Sequence, residues 1–121
     1  MKQVTWPREA TTMLVSLFGS EYREKALVFV LARDSGYAAE IAQFFETDPS
    51  QIQKQLDGLE AGGVLVSHTV GRTRLYEFSP RYPFLKELKS LLEKALSYYP
   101  DGMKERLAMN RRRPRRRGKP L

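Results

Sequence analysis

The chain has 121 residues, 41% of them apolar and 11% aromatic, enough for one small core, and it contains no cysteine, which excludes disulfides, thiolate redox switches and cysteine metal sites together. Its longest apolar run, residues 26–32, is far shorter than the roughly 20 residues a membrane-spanning helix takes, and Met1 to Pro7 carry no apolar leader, so a soluble, cytoplasmic protein with no membrane partner is expected. The net charge of +7 lies at one end: after Tyr99 nine basic residues stand against two acidic ones, whereas residues 1–99 hold twelve of each, so the expected division is a folded, neutral domain over 1–99 and a basic, Arg/Pro-rich flexible tail over 100–121.

Trp6-Pro7 leads into Ala10, Met13, Leu14 and Leu17, spaced i, i+3, i+4, i+7 as on one helix face, with Gly19 as the stop. Ser20 caps a second helix whose positive end is favoured by Glu21 and Glu24, and residues 26–32 are apolar on nearly every side, as expected at the centre of a fold. Ala38, Ile41, Ala42 and Phe45 predict a third helix that Glu46-Thr47-Asp48 breaks. Asp48 is then an N-cap, Pro49 suits the first helical position, and Gln51 stands at the capping-box position of a fourth helix. That helix turns Ile52, Leu56 and Leu59 inward and leaves Ser50, Gln51, Gln53, Lys54 and Asp57 outside, until Gly62-Gly63 ends it. Val64 to Val70 alternates, Gly71-Arg72 reverses the chain, and Thr73 to Phe78 returns as a second strand before Ser79-Pro80. His68 is expected on the inward phase of the first strand. After Tyr82-Pro83 a last helix carries Phe84, Leu88, Leu91 and Ala95 on one stripe and Leu85, Leu92, Leu96 and Tyr99 on another, together an arc of roughly 140°, wider than one packing face requires. The expected class is mostly α with a small β element (α+β): about five helices and a two-stranded antiparallel hairpin.

The run from Glu40 to Pro80 resembles the helix-turn-helix and wing of ArsR-type and MarR-type winged-helix transcription regulators. The matching motifs are Glu40-Ile41-Ala42, the Ile52 to Leu56 spacing, Leu59-Glu60-Ala61-Gly62-Gly63-Val64, and Gly71-Arg72-Thr73-Arg74-Leu75-Tyr76; Leu17 to Leu27 is similar to the opening of the second helix in the same group. The chain is also similar to stand-alone winged helices found beside minimal nucleotidyltransferases. Together the motifs cover roughly residues 14–96. One departure is Glu46, at a turn where the family usually carries Gly, so the turn geometry and local charge need not follow the family.

The resemblance implies a sequence-specific regulator of transcription, a repressor, bound to double-stranded DNA as a homodimer. Ser50, Gln51, Gln53 and Lys54 would read the major groove, since Gln can contact adenine and Lys guanine, while Ser suits a base or a phosphate. Arg72, Thr73 and Arg74 would place the wing on the backbone or minor groove. Met13, Leu14, Leu17, Leu85, Leu92, Leu96 and Tyr99, on the first and last helices, would form the dimer interface. The same polar helix face also fits a non-catalytic protein-interaction module or a nucleic-acid-binding accessory subunit of a multi-protein system. Gly19-Ser20 is similar to the start of a nucleotidyltransferase motif, but the Asp-x-Asp that should follow is absent, and His68 is the one histidine of the chain, so no catalysis is expected. No cofactor and no metal are expected; any signal would be an unidentified effector or protein partner.

The tail contributes Arg111, Arg112, Arg113, Arg115, Arg116, Arg117 and Lys119, interrupted by Pro114 and Pro120, which deny it a helix. Arg117-Gly118-Lys119-Pro120 resembles the Arg-Gly-Arg-Pro core of AT-hooks, with Lys in place of the second Arg. A minor-groove hook and a non-specific phosphate clamp are both open on these residues, and arginine-rich segments bind RNA as well.

Overall fold

A computed structural model describes residues 13–109 as helix α1 (Val15–Phe18), α2 (Glu21–Arg33), α3 (Ala38–Phe45), α4 (Pro49–Ala61), strands β1 (Leu65–Val70) and β2 (Thr73–Phe78), α5 (Leu85–Leu96) and α6 (Asp101–Met109). It is a winged helix: a helix-turn-helix followed by a two-stranded antiparallel hairpin on a helical body.

α2 runs through the centre. Ser20 caps it, its Oγ accepting from the amides of Tyr22 (3.1 Å) and Arg23 (3.2 Å), and Ala26 to Val30 are buried on every side. Ile41, Ala42 and Phe45 of α3, Ile52, Leu56 and Leu59 of α4, Leu65 of β1 and Leu92 of α5 close around it. The α3–α4 turn keeps the geometry that glycine favours although it holds glutamate: Glu46 lies in the left-handed region (φ 55°, ψ 51°), which costs about 1–2 kcal/mol for an L-residue. Asp48 caps α4, its Oδ1 accepting the Ser50 amide at 2.9 Å, and Pro49 occupies the first position. Of the two glycines after α4, Gly63 takes the left-handed conformation (φ +84°).

β1 and β2 pair in register from Leu65–Phe78 to Val70–Thr73 across a Gly71-Arg72 loop. Leu65, Ser67, Tyr76 and Phe78 form the face turned to the body, because cross-strand partners and i, i+2 neighbours share a face. Val66, His68 and Val70 are on the other face and exposed, so His68 is not inward. The inward phase is instead that of Leu65 and Ser67: Leu65 and Tyr76 are each 1% exposed, and Ser67 beside them gives its hydroxyl hydrogen to Glu60 of α4 at 2.8 Å.

The boundary expected after Tyr99 does not fall there. α5 ends at Leu96, and after Pro100 the chain continues as α6, which buries Met103 and Leu107 completely. Arg33, itself buried, reaches the last turn of α6 and donates from Nε to the Leu107 carbonyl (3.2 Å) and from Nη2 to the Arg106 carbonyl (3.1 Å), groups that a helix end leaves unpaired. The Arg33 guanidinium also stacks on Phe29 and Phe44, and that of Arg106 on Phe44. A further buried polar contact ties the front of the chain to this region: the Glu24 carboxylate accepts the Leu14 amide (2.8 Å) and the Tyr99 hydroxyl (3.1 Å). Its burial raises the carboxyl above the ordinary range, although those hydrogen bonds pull it down.

Two of the residues expected at a dimer interface are therefore part of a single chain's interior: Leu92 is 0% and Tyr99 2% exposed. A side chain enclosed by its own chain has no surface to offer a second copy. Leu14 and Leu96 also pack against the core and Leu85 is half-buried, whereas Met13 and Leu17 stand 51% and 66% exposed.

Candidate nucleic-acid interface

A cleft of about 460 Å³ opens where three segments meet: Tyr37, Ala38 and Ala39 at the start of α3, Pro49, Ser50 and Gln53 at the start of α4, and Arg72, Thr73 and Arg74 at the wing tip. Two helix N-termini, with their partial positive charge, thus border the same space as two arginines. Glycine sets the position of the wing tip: Gly71 at φ +63° makes a reversal tight enough to pair Val70 with Thr73.

The expected contact residues have different freedoms. Ser50 and Lys54 lie one turn apart on the exposed side of α4, and Lys54 has no ion-pair partner among the described residues. Ser50 gives its hydroxyl hydrogen to Asp48 Oδ1 (2.9 Å), which leaves its oxygen as an acceptor. Gln51 sits on the flank of α4, half-buried in a shallow groove with Gln55, Val15, Ser16 and the start of α2, and so faces away from the wing. Beside it Gln55 accepts the Arg23 Nε hydrogen at 2.8 Å. Gln53 points to the wing but is occupied: its amide nitrogen donates to Asp57 Oδ1 (2.9 Å) and to the Tyr76 hydroxyl oxygen (2.9 Å), and Tyr76 donates in turn to Asp57 (3.1 Å). Sequence periodicity sets Gln53 on the outer side of α4 but has no means of showing that β2 reaches it and leaves it half-buried.

On the wing, Arg72 is exposed at the tip with no ion pair among the described residues. Thr73 donates its hydroxyl to the Val70 carbonyl (3.0 Å) and so closes the loop. Arg74 points along the hairpin face that looks at α4 and donates Nε to Ser67 Oγ (3.0 Å), which passes its own hydrogen to Glu60. The acids of α4 are thus engaged with the wing, and the cations Lys54 and Arg72 stand clear of them. Arg111, Arg112, Arg113, Arg115, Arg116, Arg117 and Lys119 lie outside the described residues. Among the described residues no group of three His, Asp or Glu side chains is placed to hold a metal ion, and no helix is long and apolar enough to cross a membrane.

No protein-family model matches the chain, and no curated protein matches it. Among solved structures it is similar to a double mutant of Lactococcus lactis ZitR in its apo form, with a TM-score of 0.50 and 22% sequence identity over 82% of this chain and 83% of that chain. At that identity the likeness is one of architecture, and it extends over most of both chains.

Proposed function

We propose that the protein is a DNA-binding regulator of transcription that sets the exposed face of α4 in the major groove of duplex DNA and the wing tip on the flanking backbone. The observation that carries this reading is the convergence of Arg72, Arg74 and the N-termini of α3 and α4 around one cleft, with Lys54 exposed one turn beyond Ser50 on α4, although residues 1–99 are neutral as a whole. Local placement, not net charge, supplies the attraction for phosphate there. Lys54 and Ser50 are the base-reading candidates on the helix; Arg72 and Arg74 hold the backbone. The basic tail adds phosphate contacts, and a two-fold dimer would use Met13 and Leu17 without Leu92 and Tyr99. Repression is the sense of regulation proposed.

Titration of a fluorescent duplex of about 20 base pairs over a range of salt tests this. Lys54→Ala together with Arg72→Ala should lower affinity at every salt concentration. Each lost phosphate contact should flatten the slope of log affinity against log salt by about 0.9. Identical slopes and affinities for wild type and the double variant would remove this face from DNA binding. The exposed valines of the outer wing face, Val66 and Val70, favour a protein-interaction module or accessory subunit as the second reading.

A further inference from the structure

Tyr76 is the point at which the wing, α4 and the start of α3 meet. Its backbone forms an isolated bridge with Gly36, each amide donating to the other's carbonyl at 2.9 Å, just before α3. The residue as a whole is 1% exposed. Its hydroxyl, on the far end of the ring, accepts from Gln53 and donates to Asp57, and Gln53 closes the triangle by donating to Asp57 as well.

The donors in this triangle are fully used. A phenol has one hydrogen, and it goes to Asp57. A Gln amide has two, and they go to Asp57 and Tyr76. The orientation of the amide follows from chemistry, because an ionised carboxylate only accepts and would repel the amide oxygen. A glutamine reads adenine by donating and accepting at once. Gln53 has no hydrogen left for that purpose.

We infer, resting on the DNA-binding reading above, that Tyr76 is a positioning residue that locks the wing to the recognition helix and withdraws Gln53 from base readout, which leaves Ser50 and Lys54 as that helix's selective contacts. The lock also sets how far the wing arginines stand from α4, and hence whether wing and helix can engage the same duplex together.

The test compares wild type, Tyr76→Phe, Gln53→Ala and the double variant in two measurements. Tyr76→Phe keeps the ring in the core and deletes only the hydroxyl. The first measurement is hydrogen exchange of the amides of β1 and β2, which Tyr76→Phe should speed by about fivefold to thirtyfold, the net worth of one to both of the hydroxyl's hydrogen bonds. The second is affinity for a selected duplex and for a panel in which each base pair is changed in turn. Gln53→Ala in the wild-type background should change discrimination at no base pair by more than about twofold. Tyr76→Phe should gain a preference for adenine at one base pair, and adding Gln53→Ala should abolish that gain. A tenfold loss of discrimination at one base pair in Gln53→Ala alone would show Gln53 reading a base from within the triangle and would overturn the inference. Unchanged wing exchange in Tyr76→Phe would overturn the lock. If wild type binds no duplex, the DNA reading and the readout half fall together, while the exchange measurement still judges the lock alone.

Discussion

The nine residues of α6 provide the sharpest test of where the folded body ends. Leu107 is fully buried, and Arg33 holds the carbonyls of Arg106 and Leu107. Leu→Ala changes in full burial cost about 2–5 kcal/mol, but a terminal helix this short is not stable alone and can leave as a unit. The loss is then capped at what docking of α6 contributes, and Leu107→Ala should cost about 2–3 kcal/mol in the lower part of that range. For a domain of this size that lowers the melting temperature by about 10–20 °C. Urea denaturation followed by circular dichroism measures the stability change, and hydrogen exchange over residues 101–109 shows whether α6 detaches first. Glu105→Ala, an exposed change on the same helix, should stay within about 0.5 kcal/mol of wild type. If Leu107→Ala is equally neutral and its α6 amides exchange as in wild type, α6 is not docked and the domain does end near Tyr99.

Gly36→Ala would place a Cβ 2.9 Å from the Phe29 ring, so thermal denaturation should show a loss of about 1–3 kcal/mol from overpacking; an unchanged melting temperature would contradict the close approach. Glu46→Gly should raise stability by up to about 1 kcal/mol, since relief of the left-handed backbone and of a negative charge at the C-terminus of α3 outweighs the added chain entropy, and a lower urea midpoint would count against that strain. Because burial holds the Glu24 carboxyl above its ordinary value of 4.5, the folded state binds that proton more tightly than the unfolded chain; the contribution is complete below about pH 4.5 and disappears as pH rises through the raised value. Glu24→Gln, similar in shape and uncharged, should therefore gain stability relative to wild type as pH rises over that window, and a constant difference would show that Glu24 does not titrate abnormally. Truncation after Met109 removes seven cations beyond α6 and should leave the melting temperature unchanged while it weakens binding to all duplexes alike and flattens the salt slope; an unchanged slope would take the tail off DNA.

The helix-turn-helix and hairpin were legible because their limits are written locally. Asp48-Pro49 starts α4, glycine stops it at Gly63, and Gly71 turns the wing, each by backbone preference that needs no tertiary partner. α6 was not legible because charge dominates residues 100–121 as a composition; the one local signal was Met103 and Leu107 spaced i, i+4 behind Asp101, and it is weak without knowledge of the groove that receives them. Glu24 could be read as a first-turn acid, but its burial depends on Leu14 and Tyr99 arriving from opposite ends of the chain. His68 lies on the face opposite to the one expected because alternation fixes two faces and not which of them meets the body. Within the candidate site, periodicity placed Ser50 and Lys54 on the exposed side; the flank position of Gln51 and the engagement of Gln53 by Tyr76 arise only when β2 and α2 pack on α4.

The central claim is that the α4 and wing face binds duplex DNA by sequence. Selection of the full chain against random duplexes, read by sequencing after several rounds at low salt, tests it most directly. A dimer with α4 in the major groove should enrich an inverted repeat whose half-sites lie about one helical turn apart, roughly 10 base pairs. A pool that shows no enriched sequence after the same rounds would contradict the claim.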